Sequence, residues 1–379
     1  MRATSAAATI DTDLARLVRD FVEKEVFPLA ARTDREHRFP AEAISKAAQL
    51  GLLGITVPKQ YGGAGMDRGA MTVLIEGVAR VCASTAVVLD VHTVAIEPLL
   101  TFGSAQQKSL WLPRLAAGDI LGGFALTEPG AGSDAASLTT VARRVEGGYV
   151  LNGGKIFTSN LGRAGVYLVM ARTGGEGAGG ISAFLVDSGS TGLTFGEPFQ
   201  KMGLNGSPTG EVFFTDLFVP EEGRLGREGE GFRVALAALD VGRIGIAAQA
   251  VGIAQGALDD ALPYARQREQ FGQAIATFQG IQFMLADMAT RIEAARLMVQ
   301  TAAHLCDAGR PFTREASMAK LFATDMAMDV TTDAVQILGG YGFIEEFPVA
   351  RRMCDAKALQ IYEGTNQIQR VVIARQLLR

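Results

Sequence analysis

Residues 166–172 read Val-Tyr-Leu-Val-Met-Ala-Arg, a run of apolar and β-branched side chains near the middle of a chain of 379 residues. A run of this kind between glycine-rich turns is typical of a β-strand. A second one, Glu211-Val-Phe-Phe-Thr215, follows further along the chain. Turn signals separate these runs at Gly147-Gly148, at Asn152-Gly153 and in the cluster 174–180. This segment therefore predicts an antiparallel β domain between about residues 121 and 220.

Helical periodicity surrounds the β segment on both sides. Apolar residues such as Leu14, Leu17 and Val18 recur at helical spacing. Helices are predicted at 11–32, 41–51, 69–81, 84–102 and 105–117, and again at 229–265, 276–307, 312–338 and 366–378. The fold class is thus α+β, with an N-terminal helical domain (1–120), a middle antiparallel β domain (121–228) and a C-terminal four-helix bundle (229–379).

Composition excludes several classes of protein. The chain is 48% hydrophobic and 20% charged, which is an ordinary globular balance. Its formal net charge of −4 gives no general affinity for nucleic acid or anionic membranes. We see neither a secretory signal nor a membrane span, and expect a cytoplasmic protein. The three cysteines fit no disulfide or metal spacing, and we predict no metal site.

The usual nucleotide and hydrolase motifs are missing from the sequence. The one G-x-G-x-x-G spacing, Gly175–Gly180, lies in the turn cluster 174–180 and opens no predicted helix, and there is no G-x-S-x-G nucleophile elbow. Gly153-Gly154-Lys155 resembles the end of a P-loop, but Tyr149 stands where its first glycine belongs and Ile156 follows the lysine. The order of elements is also not the βαβ alternation of a dinucleotide-binding sheet.

Two glycine-rich loops are candidates for ligand binding. Residues 125–134 read Ala-Leu-Thr-Glu-Pro-Gly-Ala-Gly-Ser-Asp, and residues 336–343 read Gln-Ile-Leu-Gly-Gly-Tyr-Gly-Phe. Such loops expose backbone N–H groups and let a flat or phosphorylated ligand approach the main chain. The first also makes an ordinary turn, and Gly339 alone is explained as a helix C-cap. Three glycines around an aromatic residue exceed what a cap needs.

Glu363 lies in Ile361-Tyr-Glu-Gly-Thr-Asn-Gln-Ile-Gln369, just before the last predicted helix. An acidic residue suits a helix N-terminus for purely electrostatic reasons. A catalytic base has the same appearance in a sequence. The local residues leave both interpretations open.

Taken together, these segments resemble the acyl-CoA dehydrogenase family. Residues 125–137 and 336–355 are similar to its two signature patterns, and further agreements lie at 51–58, 61–65, 201–203, 239–249 and 268–272. The resemblance extends from end to end and is greatest to the short-chain (butyryl) branch. It implies the three-part fold predicted above, a tightly bound FAD and a homotetramer built as a pair of dimers.

The resemblance also implies a role for Glu363. Glu363 stands where the family carries the base that removes the pro-R α-proton of an acyl thioester, while the β-hydrogen leaves as hydride to flavin N5 on the opposite face. The donors to the thioester oxygen are then the Glu363 backbone N–H and a ribityl hydroxyl. Some relatives place the base immediately before the arginine of a Leu-Asp-x-x-Arg stretch. Here that position is Gly242, before Arg243, which favours an active enzyme that uses Glu363.

By position, the resemblance assigns the FAD contacts to two groups of residues. The first lines the isoalloxazine and the phosphates and comprises Phe124, Leu126, Thr127, Gly132, Ser133, Phe157, Thr158 and Ser159. The second comes from the neighbouring subunit and comprises Arg268, Gln270, Phe271, Phe278, Gln279, Gln336, Gly339 and Gly340. Thr365 and Gln367, at the start of the last helix, suit a phosphate. Without the resemblance, Phe271 and Phe278 are simply predicted as core.

For the thioester ligand the resemblance assigns Ser133, Asp240, Arg243, Tyr362 and Gly364. An ordinary surface or ion-paired role remains the alternative for Arg243. The acyl pocket of the family lies against helix 84–102, an apolar stretch here interrupted by three polar residues, Asp90, His92 and Glu97. Either these face a neighbouring helix or solvent, or the acyl chain is short or polar. The lack of an arginine between Arg80 and Arg114 argues against a glutaryl-CoA specificity.

The leading hypothesis is an FAD-dependent acyl-CoA dehydrogenase of fatty acid or amino acid catabolism. It acts on a CH–CH bond and passes electrons to an electron-transferring flavoprotein. The alternatives are a dehydrogenase of carrier-protein thioesters, an oxidase that reacts with oxygen, and a non-catalytic flavin or acyl-CoA binding protein. Glu363 weighs against the last of these.

Overall fold

The computed structural model describes residues 12–378, and its N-terminal part is helical. Its helices are α1 (Thr12–Phe21), α2 (Phe27–Arg35), α3 (Ala41–Gln49), α4 (Arg68–Ala79), α5 (Ala83–Phe102) and α6 (Ala105–Ala117). The predicted helix 11–32 is divided, because Val22–Val26 form a wider π-helical turn. Pro28, which has no N–H to donate, follows directly after this turn, where the α-helical hydrogen-bonding pattern is already interrupted. Residue 11 lies outside the described residues.

The middle of the chain forms a sheet of eight strands. They are β1 (Leu121–Ala125), β2 (Val141–Val145), β3 (Gly148–Ser159), β4 (Ala164–Arg172), β5 (Ile181–Asp187), β6 (Leu193–Phe195), β7 (Thr209–Pro220) and β8 (Arg224–Leu225). Their order is β6-β7-β3-β2-β4-β5-β8, and β1 pairs with β4. The β1–β4 pairing is parallel, because the chain passes through the β2–β3 hairpin before β4 returns beside β1 in the same direction. The sheet is therefore mainly, but not purely, antiparallel.

One predicted turn is wrong. Asn152-Gly153 does not separate two strands but lies inside β3, where the pairing with β7 shifts between Leu151 and Gly153. Gly153 has φ 139°, a value that a side chain disfavours, so the glycine serves a bulge in a continuous strand. The other two turn signals, at 147–148 and 174–180, do lie between strands.

The C-terminal part is helical. It contains α7 (Gly231–Gln267), a small hairpin of β9 (Glu269–Gln270) and β10 (Gln273–Ala274), α8 (Gln279–Asp307), α9 (Thr313–Leu338), α10 (Pro348–Leu359) and α11 (Asn366–Leu377). Helix α10 was not predicted. It packs against α7 and α9, so that α7 to α10 form the four-helix bundle, and α11 packs on α9.

Helix α7 lies at the centre of the molecule and packs against α4, α5, α8, α9 and α10. Residues 241–254 of this helix are all buried. Both α5 and α7 are long and apolar enough to cross a membrane, but 83% and 78% of their most apolar windows are buried inside the fold. A core helix has the same composition, and these two helices position the site described next.

Candidate active site

Glu363 lies in the short loop between α10 and α11, in an unusual backbone conformation. Its φ is 52°, in the left-handed region that side chains other than glycine rarely adopt, and Gly364 follows with φ 90°. The side chain of Gln369 holds this loop by donating from Nε2 to the carbonyls of Glu363 (3.2 Å) and Gly364 (2.9 Å). Such strained backbone persists where surrounding contacts enforce it, and it is concentrated at functional sites.

A buried lysine donates hydrogen bonds to the same loop. Lys320 of α9 has no exposed surface, and its Nζ donates to the Gly364 carbonyl at 2.9 Å and to Asn366 Oδ1 at 2.8 Å. Burial lowers the pKa of Lys320 to about 7, although the nearby Glu363 favours its charged form. Sequence reasoning missed Lys320, because no local pattern marks it within a long helix.

Glu363 as a whole is half-buried, but one of its two carboxylate oxygens is enclosed. Its Oε2 is buried and finds no hydrogen-bond partner among residues 12–378. Burial raises the pKa of Glu363 to about 7, opposed by the charges of Arg243 and Lys320. A base whose pKa lies near neutral pH is well matched to proton abstraction. Glu363 is half-buried with one enclosed oxygen, which weighs against its interpretation as a fully solvated helix-start acid.

Helix α7 provides the space for this carboxylate. A Cβ built on Gly242 would lie 2.1 Å from Glu363 Oε2, so no larger residue fits there without displacing the acid. Two turns further along α7, Gln249 Oε1 accepts a hydrogen bond from the Tyr362 hydroxyl at 2.6 Å. Gln249 in turn donates to the carbonyl of Ala83 at 2.9 Å. The loop is thereby tied to both α7 and α5.

Arg243 is buried and forms an ion pair. It is only 4% exposed, and its Nη1 lies 2.5 Å from Asp240 Oδ1 in an ion pair. Thr313 donates to the other oxygen of Asp240 at 2.6 Å, while burial raises the pKa of Asp240. Arg243 is therefore ion-paired but not a surface residue, and its charge lies close enough to Glu363 to lower the pKa of that acid.

The glycine loop after β1 is anchored by a buried ion pair. Lys155 Nζ lies 2.8 Å from Glu128 Oε1 and also donates to the carbonyl of Leu126 at 3.0 Å. Glu128 further accepts from the backbone N–H groups of Thr139 and Thr140. These donors hold the pKa of Glu128 at about 2. Sequence reasoning considered Lys155 only as part of a P-loop and missed this pair.

Strand β3 presents a flat aromatic surface near this loop. The ring of Phe157 is 63% exposed, and its φ of 58° coincides with a shift in the β3–β7 pairing between Lys155 and Thr158. Thr158 Oγ1 is buried without a partner among the described residues, and Ser159 Oγ lies 3.3 Å from Thr209 Oγ1. Of the rest of the first predicted group, Leu126 is buried, Phe124 and Thr127 are half-buried, and Gly132 and Ser133 are exposed.

Part of the second predicted group lines a surface cleft of about 490 Å³. Arg268, Gln270, Gly339 and Gly340 line it, together with two tyrosines. The guanidinium of Arg268 lies 5.8 Å from the ring centre of Tyr341. No atom lies within 4 Å of the place where a Cβ would stand on Gly339 or Gly340, so their backbone is open to a ligand. Gly339 also ends α9 as its C-cap, so the interpretation of this glycine as a helix cap is confirmed.

The remaining residues of this group lie on the surface around the cleft or at helix starts. Phe271 is 93% exposed, so the prediction that it belongs to the core is wrong; its ring meets that of the half-buried Phe278 at 6.1 Å. Thr365 accepts from the N–H of Ile368 and caps α11. Three glutamines, Gln279, Gln336 and Gln367, are exposed.

Two of the three polar residues on α5 are accounted for by structural contacts. His92 Nδ1 accepts from the backbone N–H of Gly122 at 3.0 Å, and burial lowers the pKa of His92 to about 4. Glu97 forms a buried ion pair with Arg68. For these two, the interpretation that they face neighbouring elements is confirmed. Asp90 has no such partner.

A flat ring and a nucleotide tail fit the surfaces described above. The exposed side chain of Phe157 suits stacking against a planar heterocycle. The cleft beside Arg268 offers a guanidinium group and two glycines whose backbone is accessible. These groups suit a diphosphate and an adenine. Fold and site thus fit a flavoprotein oxidoreductase with a half-buried carboxylate at Glu363.

The chain belongs to the acyl-CoA dehydrogenase family. Residues 11–119, 123–217 and 229–378 match the N-terminal, middle and C-terminal domains of acyl-CoA dehydrogenase. An acyl-CoA dehydrogenase of Bacillus subtilis is 51% identical over 96% of this chain and 97% of its own length. Butyryl-CoA dehydrogenase of Megasphaera elsdenii is 45% identical with a TM-score of 0.95, covering 97% of both chains. A chain from a structure of the electron-transferring flavoprotein of Acidaminococcus fermentans is 46% identical, with the same TM-score and coverage.

Proposed function

We propose that the chain catalyses the FAD-dependent α,β-dehydrogenation of a short-chain acyl-CoA thioester and passes the electrons to an electron-transferring flavoprotein. The observation that carries this proposal is the carboxylate of Glu363, strained in its backbone and free of partners at Oε2. The likeness to butyryl-CoA dehydrogenase and to a chain solved in connection with an electron-transferring flavoprotein supports the substrate and the acceptor.

Glu363 removes the α-proton in this mechanism. Since its Oε2 is unpartnered, no hydrogen bond has to break before the proton is taken up. An acyl chain in the site displaces the remaining water, which raises the pKa of Glu363 further and strengthens it as a base. Bound FAD supplies the acceptor for the hydride that leaves the β-carbon.

The neighbouring residues position the base and the thioester. The backbone N–H of Glu363 donates to the thioester oxygen, where negative charge develops as the proton leaves. Lys320 and Gln369 fix the loop that carries this N–H through their bonds to the Gly364 carbonyl. Tyr362, Gly364 and the Asp240–Arg243 pair form the wall around the reacting carbons, and Ser133 contacts the thioester ligand from the glycine loop.

We assign the FAD contacts to the two surfaces described above. The first group holds the isoalloxazine and lies in the same subunit as Glu363, whereas the cleft beside Arg268 serves the FAD of a neighbouring subunit. The nearly complete exposure of Phe271 supports a partner chain at this place. The same proposal includes a homotetramer and a cytoplasmic location. It also includes domain boundaries after residues 120 and 228. The three free thiols agree with a reducing compartment.

Anaerobic titration tests the reaction. The purified protein is expected to be yellow and to lose its absorbance near 450 nm, about the usual flavin band, when butyryl-CoA is added without oxygen. Adding an electron-transferring flavoprotein is expected to restore the colour. A yellow protein that stays oxidised with straight, branched, aromatic and dicarboxylic acyl-CoAs would instead support a non-catalytic binding protein.

A further inference from the structure

Arg172 is the last residue of β4, and its guanidinium group holds two loops. Its Nε donates to the carbonyl of Leu138 at 3.1 Å, and its Nη2 donates to that of Ala136 at 2.8 Å. Its Nη1 donates to the carbonyls of Gly175 and Gly177, at 2.6 and 3.1 Å. All four acceptors are backbone groups, so the planar donor fork of the arginine fixes main chain in both loops.

The first two acceptors belong to the glycine loop that begins at residue 125. The tip of this loop, Gly132 and Ser133, is exposed, and neither residue forms a hydrogen bond with the rest of chain 12–378. Ser133 therefore lies on a span between two fixed points, the buried Ala131 and the Ala136 carbonyl held by Arg172. Without Arg172, the second fixed point loses its side-chain partner.

The other two acceptors connect the glycine loop to helix α7. They lie in the loop between β4 and β5, which packs against the residues before α7. A Cβ on Gly229 would lie 2.7 Å from the Gly179 carbonyl oxygen, and the Gly229 N–H donates to Ser182 Oγ at 2.9 Å. Helix α7 carries Asp240 and Arg243, which the proposed function also assigns to the thioester. Arg172 therefore links the segments on either side of the proposed thioester site.

The position of Ser133 in the fold separates binding from chemistry. Among the residues that the proposed function assigns to the thioester, only Ser133 belongs to the middle β domain. The base, Glu363, lies in the loop before α11, and Lys320 and Gln369 hold that loop. A displaced glycine loop therefore weakens the contact with the ligand but leaves the base in place.

We propose that Arg172 is a positioning residue for the acyl-CoA site, and that it acts through the glycine loop to bring Ser133 against the thioester ligand. The role of Arg172 rests on the proposed function, which places Ser133 on that ligand. Its loss raises the dissociation constant of acyl-CoA and leaves the rate of proton abstraction unchanged. This is the kinetic form expected when ground state and transition state lose the same binding contact.

Anaerobic rapid mixing of the FAD-saturated holoenzyme with butyryl-CoA separates the two quantities. The rate of flavin reduction at a series of concentrations gives an apparent dissociation constant and a limiting rate. In Arg172→Met the dissociation constant is expected to rise about ten-fold, because the donors to both loops are lost. The limiting rate is expected to change by less than about two-fold. Arg172→Lys keeps the charge at a single point of donation, so a smaller rise of about three-fold is expected.

A double-mutant cycle shows whether Arg172 acts through Ser133. Ser133→Ala is expected to raise the dissociation constant by itself. In that background Arg172→Met is expected to raise it further by less than about three-fold, because the contact that Arg172 positions is already lost. Independent effects that multiply, or an effect of Arg172→Met where Ser133→Ala has none, would overturn the proposed role.

Arg224 is the matched control. It is also half-buried, and its Nη1 donates to the carbonyl of Gly226 at 2.8 Å while its Nη2 donates to Glu221, both outside the glycine loop. Arg224→Met is expected to lower the melting temperature but to leave the dissociation constant of butyryl-CoA unchanged. A similar rise in the two methionine variants would show a general loosening of the β domain and would overturn the role of Arg172.

The outcomes distinguish the role of Arg172 from the proposed function. If no acyl-CoA reduces the wild-type flavin, dehydrogenation is wrong, and calorimetric binding of crotonyl-CoA then tests Arg172 in the same variants. If the wild type is reduced but Arg172→Met and Arg172→Lys bind butyryl-CoA as tightly, dehydrogenation stands and the role of Arg172 is overturned. If Arg172→Met does not fold, the result for Arg172→Lys decides. A wild-type protein that binds no acyl-CoA would contradict both.

Discussion

The carboxylate of Glu363 occupies the space that a side chain on Gly242 would need, with only 2.1 Å between Oε2 and a Cβ built at that glycine. Of the two positions considered for an acidic residue, this chain has a glutamate at 363 and a glycine at 242. The structure explains why only one is filled, because a side chain on Gly242 would occupy the space of the Glu363 carboxylate. A side chain on Gly245 would likewise collide with Asp90. The two glycines of α7 therefore leave room for both acidic side chains.

A side chain at position 242 is expected to lower the catalytic rate more severely than it lowers the stability of the fold. In Gly242→Ala the new Cβ displaces the Glu363 carboxylate, and a base misplaced by about 1 Å loses on the order of 100-fold in rate. The free energy of unfolding falls by about 1–3 kcal/mol through overpacking. Rapid anaerobic mixing with butyryl-CoA measures the first effect and denaturant unfolding the second.

Gly252→Ala is the control for this variant. It adds a Cβ to the same helix, against the Glu76 carbonyl and Ala79, remote from both carboxyls. It is expected to lose stability without losing rate per bound FAD. Equal rate losses in the two variants would show that the effect of Gly242→Ala is general strain.

The pH dependence of kcat/KM is expected to follow Glu363. Its pKa is raised to about 7, so log kcat/KM rises with unit slope below pH 7 and levels off above it. Stability changes in the opposite direction. The folded chain keeps this proton between the usual value of 4.5 and about 7 while the unfolded chain releases it, so this contribution to stability falls as the pH rises through that window. An inflection near 4.5 in the rate profile would mean a solvated acid.

Removing the charge of Lys320 is expected to shift this profile to higher pH. Lys320 lowers the pKa of Glu363, so in Lys320→Met the base requires a higher pH to ionise. The comparison is Lys357→Met, in which an exposed lysine loses only its bond to Gln360. If Lys320→Met lowers kcat at every pH without moving the inflection, Lys320 holds the loop and does not tune the base.

The buried Lys155–Glu128 pair is expected to be needed for the glycine loop. Lys155→Met leaves a buried carboxylate without its counter-charge, which costs about 3–5 kcal/mol of unfolding free energy. FAD is expected to dissociate more readily, because the pair anchors the loop at 125–134. Denaturant unfolding and the flavin absorbance per chain report the two effects.

Arg144 provides the comparison for that pair. Its guanidinium lies 3.0 Å from Glu228, but its side chain is 63% exposed. Arg144→Met is expected to cost less than about 1 kcal/mol. Similar losses for both variants would remove the special role assigned to Lys155.

Much of the fold was predictable from residue patterns, because long amphipathic helices and glycine-bounded strands carry strong local signals. Helix α10 was missed since it is short and buries charged residues such as Arg352 and Asp355, which obscure its apolar face. Its Arg352 pairs with Asp260 on α7, a partner that no local pattern reveals. The turn predicted at Asn152-Gly153 was wrong because a bulge and a hairpin use the same residues.

A motif and a resemblance drew attention to Glu363 in the sequence, but nothing in the sequence indicated which distant segments meet at the candidate site. Asp90 and Glu363 lie far apart in the sequence and meet only because α7 has two glycines on one face. Lys320 and Lys155 are likewise defined by burial and partners. Such contacts arise from the packing of segments that are distant in the chain, and they produce no periodic pattern of residues in the sequence.

The rate of flavin reduction in Glu363→Gln tests the central claim most directly. The amide keeps the size of the side chain but cannot accept the α-proton, so anaerobic bleaching by butyryl-CoA is expected to slow by at least about 10²–10⁴-fold while the FAD content per chain stays unchanged. A variant that retains its FAD and is bleached at the wild-type rate would show that Glu363 is not the base.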